Sequence, residues 1–133
     1  AVKAFFEYMS EEEKIHVAVL SDQFRSFKDH QKFQAADLSE DASDGMPDPV
    51  LSEEMKMKIA AADFEAAAIS AAMGMEERAI KLYSARAKTA SDPNEKAVYE
   101  WLADWERSHL RLLEGIEREL TEKVWHDNQF WPF

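Results

Sequence analysis

The chain has 133 residues, 46% of them apolar, with only three glycines and four prolines, which is enough material for one buried core and few helix breakers. A formal charge of −11 argues against a nucleic-acid interface, which needs a basic face to displace counterions, and against anionic membranes. The absence of cysteine excludes disulfides, thiolate nucleophiles, zinc ribbons and iron–sulfur or rubredoxin-type centres, so a metal site here has to be built from oxygen and imidazole ligands.

No run is apolar for long enough to span a bilayer and no secretory signal opens the chain, so the cytoplasm is the expected compartment. Ala1 stands in place of an initiator Met, as expected of a processed chain or of one with an upstream piece. Residues 2–27 have helical periodicity: Phe5, Phe6, Met9, Glu13, His16, Val19, Leu20, Gln23, Phe24 and Phe27 recur at three- and four-residue steps on one face. Glu13 and His16, three apart inside that apolar stripe, present a carboxylate and an imidazole to the same point. Glu11 and Glu12 beside them read as solvated surface.

Residues 28–50 lose the pattern and end in Asp44-Gly45-Met46-Pro47-Asp48-Pro49, a connection long enough to cross from one end of a fold to the other. Asp48 before Pro49 suits an N-cap, which predicts a short helix over 49–60. A long helix is expected over 63–90 with Ile69, Ala72, Met73, Glu76, Ala79, Ile80, Tyr83 and Ala87 facing inward. Glu76 is the anomaly on that face, while Glu77 points elsewhere. Met73 and Met75 read as packing residues, and His30 and His126 as surface residues.

Asp92-Pro93-Asn94-Glu95 has the form of an N-cap, a first-turn proline and a capping-box acid, so a last helix is predicted over 93–124, antiparallel to its predecessor. Its apolar stripe is Val98, Leu102, Trp105, His109, Leu112, Leu113, Ile116 and Leu120, and Glu106 and His109 lie within it. The tail 125–133 is aromatic enough to pack against the bundle or a neighbouring subunit. An ionised carboxylate on a buried face is costly unless paired, and a cation is one such partner.

The two Glu-x-x-His pairs coincide at an offset of 93 residues, and the stretches around them, from Ala4 and from Ala97, match in aromatic and aliphatic character. This reads as a duplicated helix pair. The counterparts of Glu76 and Tyr83 in the first copy fall before residue 1, so three long helices are present where the duplication implies four. The fourth is expected upstream of residue 1, from a partner subunit in a swapped dimer, or lost, in that order.

Glu76 seven residues before Tyr83, followed by Glu106-x-x-His109 and preceded by Glu13-x-x-His16, resembles the rubrerythrin-like branch of the ferritin-like superfamily. The resemblance covers residues 2–124 apart from the crossover. It implies an all-α, ferritin-like four-helix bundle forming a single domain over 1–133, with a dinuclear, di-iron site. Manganese or zinc would suit the same ligands. Glu13 and Glu106 would bridge the metals, His16 and His109 would each cap one, Glu76 would be terminal, and Tyr83 would hydrogen-bond a ligand carboxylate. Members oxidise and store iron or reduce oxygen or peroxide. The rubredoxin-like domain of rubrerythrin proper needs cysteine, so electrons are expected from an external donor. The extra carboxylate one turn after the first is also absent, as Arg78, Ala79 and Ile80 follow Glu77, which weakens the expectation of peroxidase activity. The competing reading is a non-catalytic helical interaction module with a vestigial or structural metal site. A mononuclear zinc hydrolase fits less well, since no separate general base is apparent.

Overall fold

A computed structural model of the chain describes residues 2–38 and 63–127. The described residues form three α-helices and no strand: α1 (Val2–His30), α2 (Asp63–Thr89) and α3 (Pro93–Asp127). Among them no helix is long and apolar enough to cross a membrane. The short helix expected over 49–60, most of the crossover and residues 128–133 of the tail lie outside the described residues.

The helices pack where their stripes are apolar. Phe5 and Met9 of α1, Ile69 of α2, and Leu112, Leu113, Ile116 and Leu120 of α3 form one buried cluster, with Phe6, Tyr8, Ala72 and Met73 against it. The start of α1, the start of α2 and the far half of α3 therefore meet at one end of the bundle. At the other end Phe33, just beyond α1, touches Asp92 and Asn94 at the start of α3. Thus α1 and α2 both run antiparallel to α3. Arg107 on α3 donates to Ser84 Oγ on α2 at 2.9 Å, a polar tie between these two helices on the solvent side.

Helix ends follow local chemistry. α1 runs to His30, three residues past the end read from periodicity, because Lys28, Asp29 and His30 are polar but compatible with a helix. The two basic side chains also suit the negative end of the helix dipole. It stops at Gln31, whose φ of 55° is left-handed. Gln31 offsets that strain by donating its backbone N–H and its side-chain amide to the Phe27 carbonyl, at 2.8 and 3.1 Å. α2 ends at Thr89, whose hydroxyl donates to the carbonyls of Ala85 and Arg86. α3 continues to Asp127, three residues beyond the expected end.

Three expected inward residues point out. Phe24 is 70% exposed, Phe27 46% and Met75 64%. The periodicity that groups Phe24 and Phe27 is right for a helix, but the described neighbours do not reach that part of the surface, and Met75, read as packing, lies off the inner face. Gln23, by contrast, is buried: its side chain donates to Gln34 O and accepts from Gln34 N, both at 3.0 Å, pinning the extended strap that follows α1.

Asp92 joins the strap to α3. One carboxylate oxygen accepts from Asn94 N at 2.9 Å, capping the helix, and the other accepts from Phe33 N at 3.2 Å. Replacing Asp92 by Ala removes both bonds and is expected to cost about 1–2 kcal/mol of stability, read from the shift of the urea unfolding midpoint. An unchanged midpoint would show that neither bond contributes.

Candidate metal centre

One helical turn above the apolar cluster, the bundle interior turns polar. His16, Glu76, Glu106 and His109 are all buried, and Glu13 reaches them from an edge where its side chain is 44% exposed. The helical spacing of three brings each acid beside its histidine, and the antiparallel approach of α1 and α3 brings the two pairs face to face.

The arrangement is shared rather than pairwise. Glu106 sets Oε1 3.1 Å from His16 Nδ1 and Oε2 3.3 Å from His109 Nδ1. Glu13 repeats this, with Oε2 3.1 Å from His16 Nδ1 and Oε1 3.5 Å from His109 Nδ1. Each of these carboxylates therefore spans both imidazoles, whose ring centroids are 6.0 Å apart. Glu76 adds Oε1 at 3.5 Å from His109 Nδ1, so that side has three acids and the His16 side two among the described residues.

Donor atoms of Glu13, Glu76, Glu106 and His109 all lie within 4.8 Å of one another, and these four form a group able to hold a metal ion. His16 is outside that group but shares Glu13 and Glu106 with it. Glu106 Oε2 and His109 Nδ1 are buried without a hydrogen-bond partner among the described residues, although they face each other at 3.3 Å. Two donors about 2.1 Å from a common cation, at roughly a right angle, stand roughly 3 Å apart. The cluster is thus poorly arranged for hydrogen bonding and well arranged to share a cation.

The charges pull on each other strongly. Burial alone would raise Glu106, but the imidazoles of His109 and His16 outweigh it and hold the carboxyl down at about 2. Burial keeps Glu76 raised, with the Glu106 charge adding to it against the pull of His109, so Glu76 is the acid that more readily keeps a proton. Glu13 is lowered because His109 and His16 overcome its burial. For His16 and His109, burial acts downward but the surrounding carboxylates win, raising them to about 9 and about 11. Trp105 touches the other ring nitrogen of His109. Its indole N–H donates to His109 Nε2 at 3.1 Å, and an indole can only donate, so it opposes a proton on that nitrogen.

Tyr83 is half-buried nearby. Burial raises its hydroxyl, and the charges of Glu106 and Glu13 add to the shift. Among the described residues Tyr83 makes no hydrogen bond to a carboxylate, and its ring stacks on Tyr99, centroids 6.2 Å apart. Trp105 and Tyr99 were not singled out by sequence reasoning as neighbours of the site. The signal for Trp105 was present, since it stands four residues before His109 on the same stripe; Tyr99 carried none, because its contact depends on how α2 and α3 pack.

Three helices that aim acids and imidazoles at one buried point define a ferritin-like helical bundle with a carboxylate and histidine cluster at its centre. The chain belongs to the rubrerythrin family, whose model, described as Rubrerythrin, matches residues 1–117. No curated protein and no solved structure matches it.

The pKa directions fix a pH dependence for the metal-free chain. Imidazoles raised from 6.5 stabilise the fold fully below that pH and lose the contribution as pH rises through about 9, where His16 titrates. Glu106, lowered from 4.5, contributes above that value and loses it as pH falls toward about 2. The melting temperature in chelator should therefore be highest between these two ordinary values and fall toward about pH 9. A divalent cation displaces imidazole protons, so it should stabilise the chain more at about pH 8 than at about pH 6. A melting temperature that stays flat across the alkaline range in chelator would contradict this account.

Proposed function

We propose that the chain is a dinuclear metal carboxylate protein, di-iron in its working form, that oxidises iron or reduces oxygen or peroxide. The observation that supports this most directly is the reach of Glu13 and Glu106, each with one oxygen toward His16 and the other toward His109. Those two acids would bridge a pair of cations, His16 and His109 would each hold one, and Glu76 would complete the His109 side. Oxygen and imidazole donors suit iron and manganese and also accept zinc. The bound metals supply the redox chemistry. The chain's own residues hold the cations, keep most of the centre dry, and leave Glu13 as the carboxylate nearest solvent.

The His16 side lacks an acid equivalent to Glu76 among the described residues. A carboxylate from a second copy in a homodimer, or from residues upstream of position 1, would fill it. Electrons for oxygen or peroxide reduction come from an external donor, and the compartment that fits this reading is the cytoplasm. Exposed Val17, Phe24 and Leu82 favour a second reading, a helical interaction module that retains its metal site for structure.

Elemental analysis of the purified chain should find two iron, manganese or zinc ions per chain. Glu106→Ala removes the acid shared by both sides and should reduce the content to less than one per chain, while Tyr83→Phe should leave it unchanged. A wild-type chain that holds none of these metals after reconstitution, or an E106A variant with full content, would overturn the proposal. Full metal content with no turnover of iron, oxygen or peroxide would select the interaction module.

A further inference from the structure

Beyond the acidic centre, a cavity of about 410 Å³ opens at the end of the bundle where α1 gives way to the strap. Leu20, Phe24, Phe27, Phe33 and Tyr99 wall it, and Arg86 is its only charged lining residue among the described residues. Its size falls in the range of small-ligand sites, and apolar walls with a few polar groups, here Arg86 and Gln23, are their usual composition.

The walls are built rather than incidental. Phe33 is held by both of its backbone groups, the N–H by Asp92 and the carbonyl by Asn94 Nδ2 at 3.3 Å. The Gln23 clamp on Gln34 fixes the next residue of the strap. Phe33 is thereby set between two rings, 6.3 Å from Phe27 and 6.0 Å from Tyr99. Arg86 lies 6.0 Å from the Tyr99 ring centre and forms no ion pair with any described residue. A guanidinium at the rim of an aromatic cavity, with no carboxylate partner among the described residues, is a complement for an anion carried on a flat ring. Phe24, 70% exposed, leaves an apolar surface at the mouth that a bound ring would cover.

The geometry points to a binding site for a planar aromatic anion, its ring among Phe27, Phe33 and Tyr99 and its charge on Arg86. This site is separate from the acidic cluster and does not require metal. Its position has one consequence that rests on the metal reading: a redox-active ligand of this class lies two stacked rings, Tyr99 and Tyr83, from the carboxylates.

The test is calorimetric titration of the full chain, as purified and again after chelation, with anthraquinone-2-sulfonate and with its neutral analogue 2-(hydroxymethyl)anthraquinone. The sulfonate should bind at one site per chain whether or not metal is present. Arg86→Gln, at an exposed side chain, should weaken the sulfonate about tenfold, equivalent to about 1.4 kcal/mol, and leave the neutral ring within about twofold. Phe24→Ser, which cannot disturb the core, should weaken both. Absence of saturable binding overturns the proposal, whether another segment of this chain or a second copy fills the cavity. Equal binding of the sulfonate to wild type and R86Q overturns it too. Loss of binding only after chelation would place the ligand at the acidic centre instead, against the proposal and in favour of the metal reading.

Discussion

Two carboxylates, each shared between two imidazoles, are the constraint on which the bundle depends. Glu106 is buried on all sides and His16 and His109 are buried with it. None of these groups can be taken from water alone without a penalty of several kcal/mol, so each needs the others in place. That demand fixes the register of α1 against α3, because residues 13 and 16 must face residues 106 and 109. It also fixes the depth of α2, which has to bring Glu76 to His109. The apolar cluster around Phe5, Ile69 and Leu113 below, and the aromatic layer around Tyr83 and Tyr99 above, pack on either side of a layer whose geometry is set by charge.

The two halves of the cluster are not equivalent. His109 has a third acid, Glu76, and an indole donor on its outer nitrogen, whereas His16 packs edge-to-face with Trp101 and Trp105, ring centroids 5.5 and 5.0 Å away. A neutral imidazole that uses Nδ1 to hold a cation carries its proton on Nε2. For His109 that proton would point at the Trp105 N–H, and the indole contact would have to open. No such contact is lost at His16. Were both sides to hold cations through Nδ1, the side richer in acids would give up a hydrogen bond and the side poorer in acids would not.

Much of this was legible in the chain because helical periodicity says which residues share a face. All eight residues of the α3 stripe, Val98 to Leu120, are buried, and Glu76 stood out as an acid among alanines, Met73 and Ile80. The repeated Glu-x-x-His spacing gave the chemistry, since residues three apart on a helix are neighbours wherever the helix goes. Periodicity does not say how far along a helix its partner extends, and so Phe24 and Phe27 were placed inside when they are exposed. Nor does it give contacts between helices that depend on packing depth, such as the Tyr83–Tyr99 stack or the double reach of Glu13 and of Glu106. The end of α1 was missed for a different reason: a glutamine in left-handed conformation, held by its own amide, carries no marker in composition.

Asp92 has both of its oxygens engaged, one on the first turn of α3 and one on an amide fifty-nine positions earlier. A single side chain thus acts as the hinge pin between a helix start and the strap leaving α1. Peeling the strap away exposes the helix end, and fraying the helix end releases the strap. Two segments far apart in sequence therefore open as one cooperative unit, and transient unfolding at this end of the bundle is shared between them instead of being confined to either.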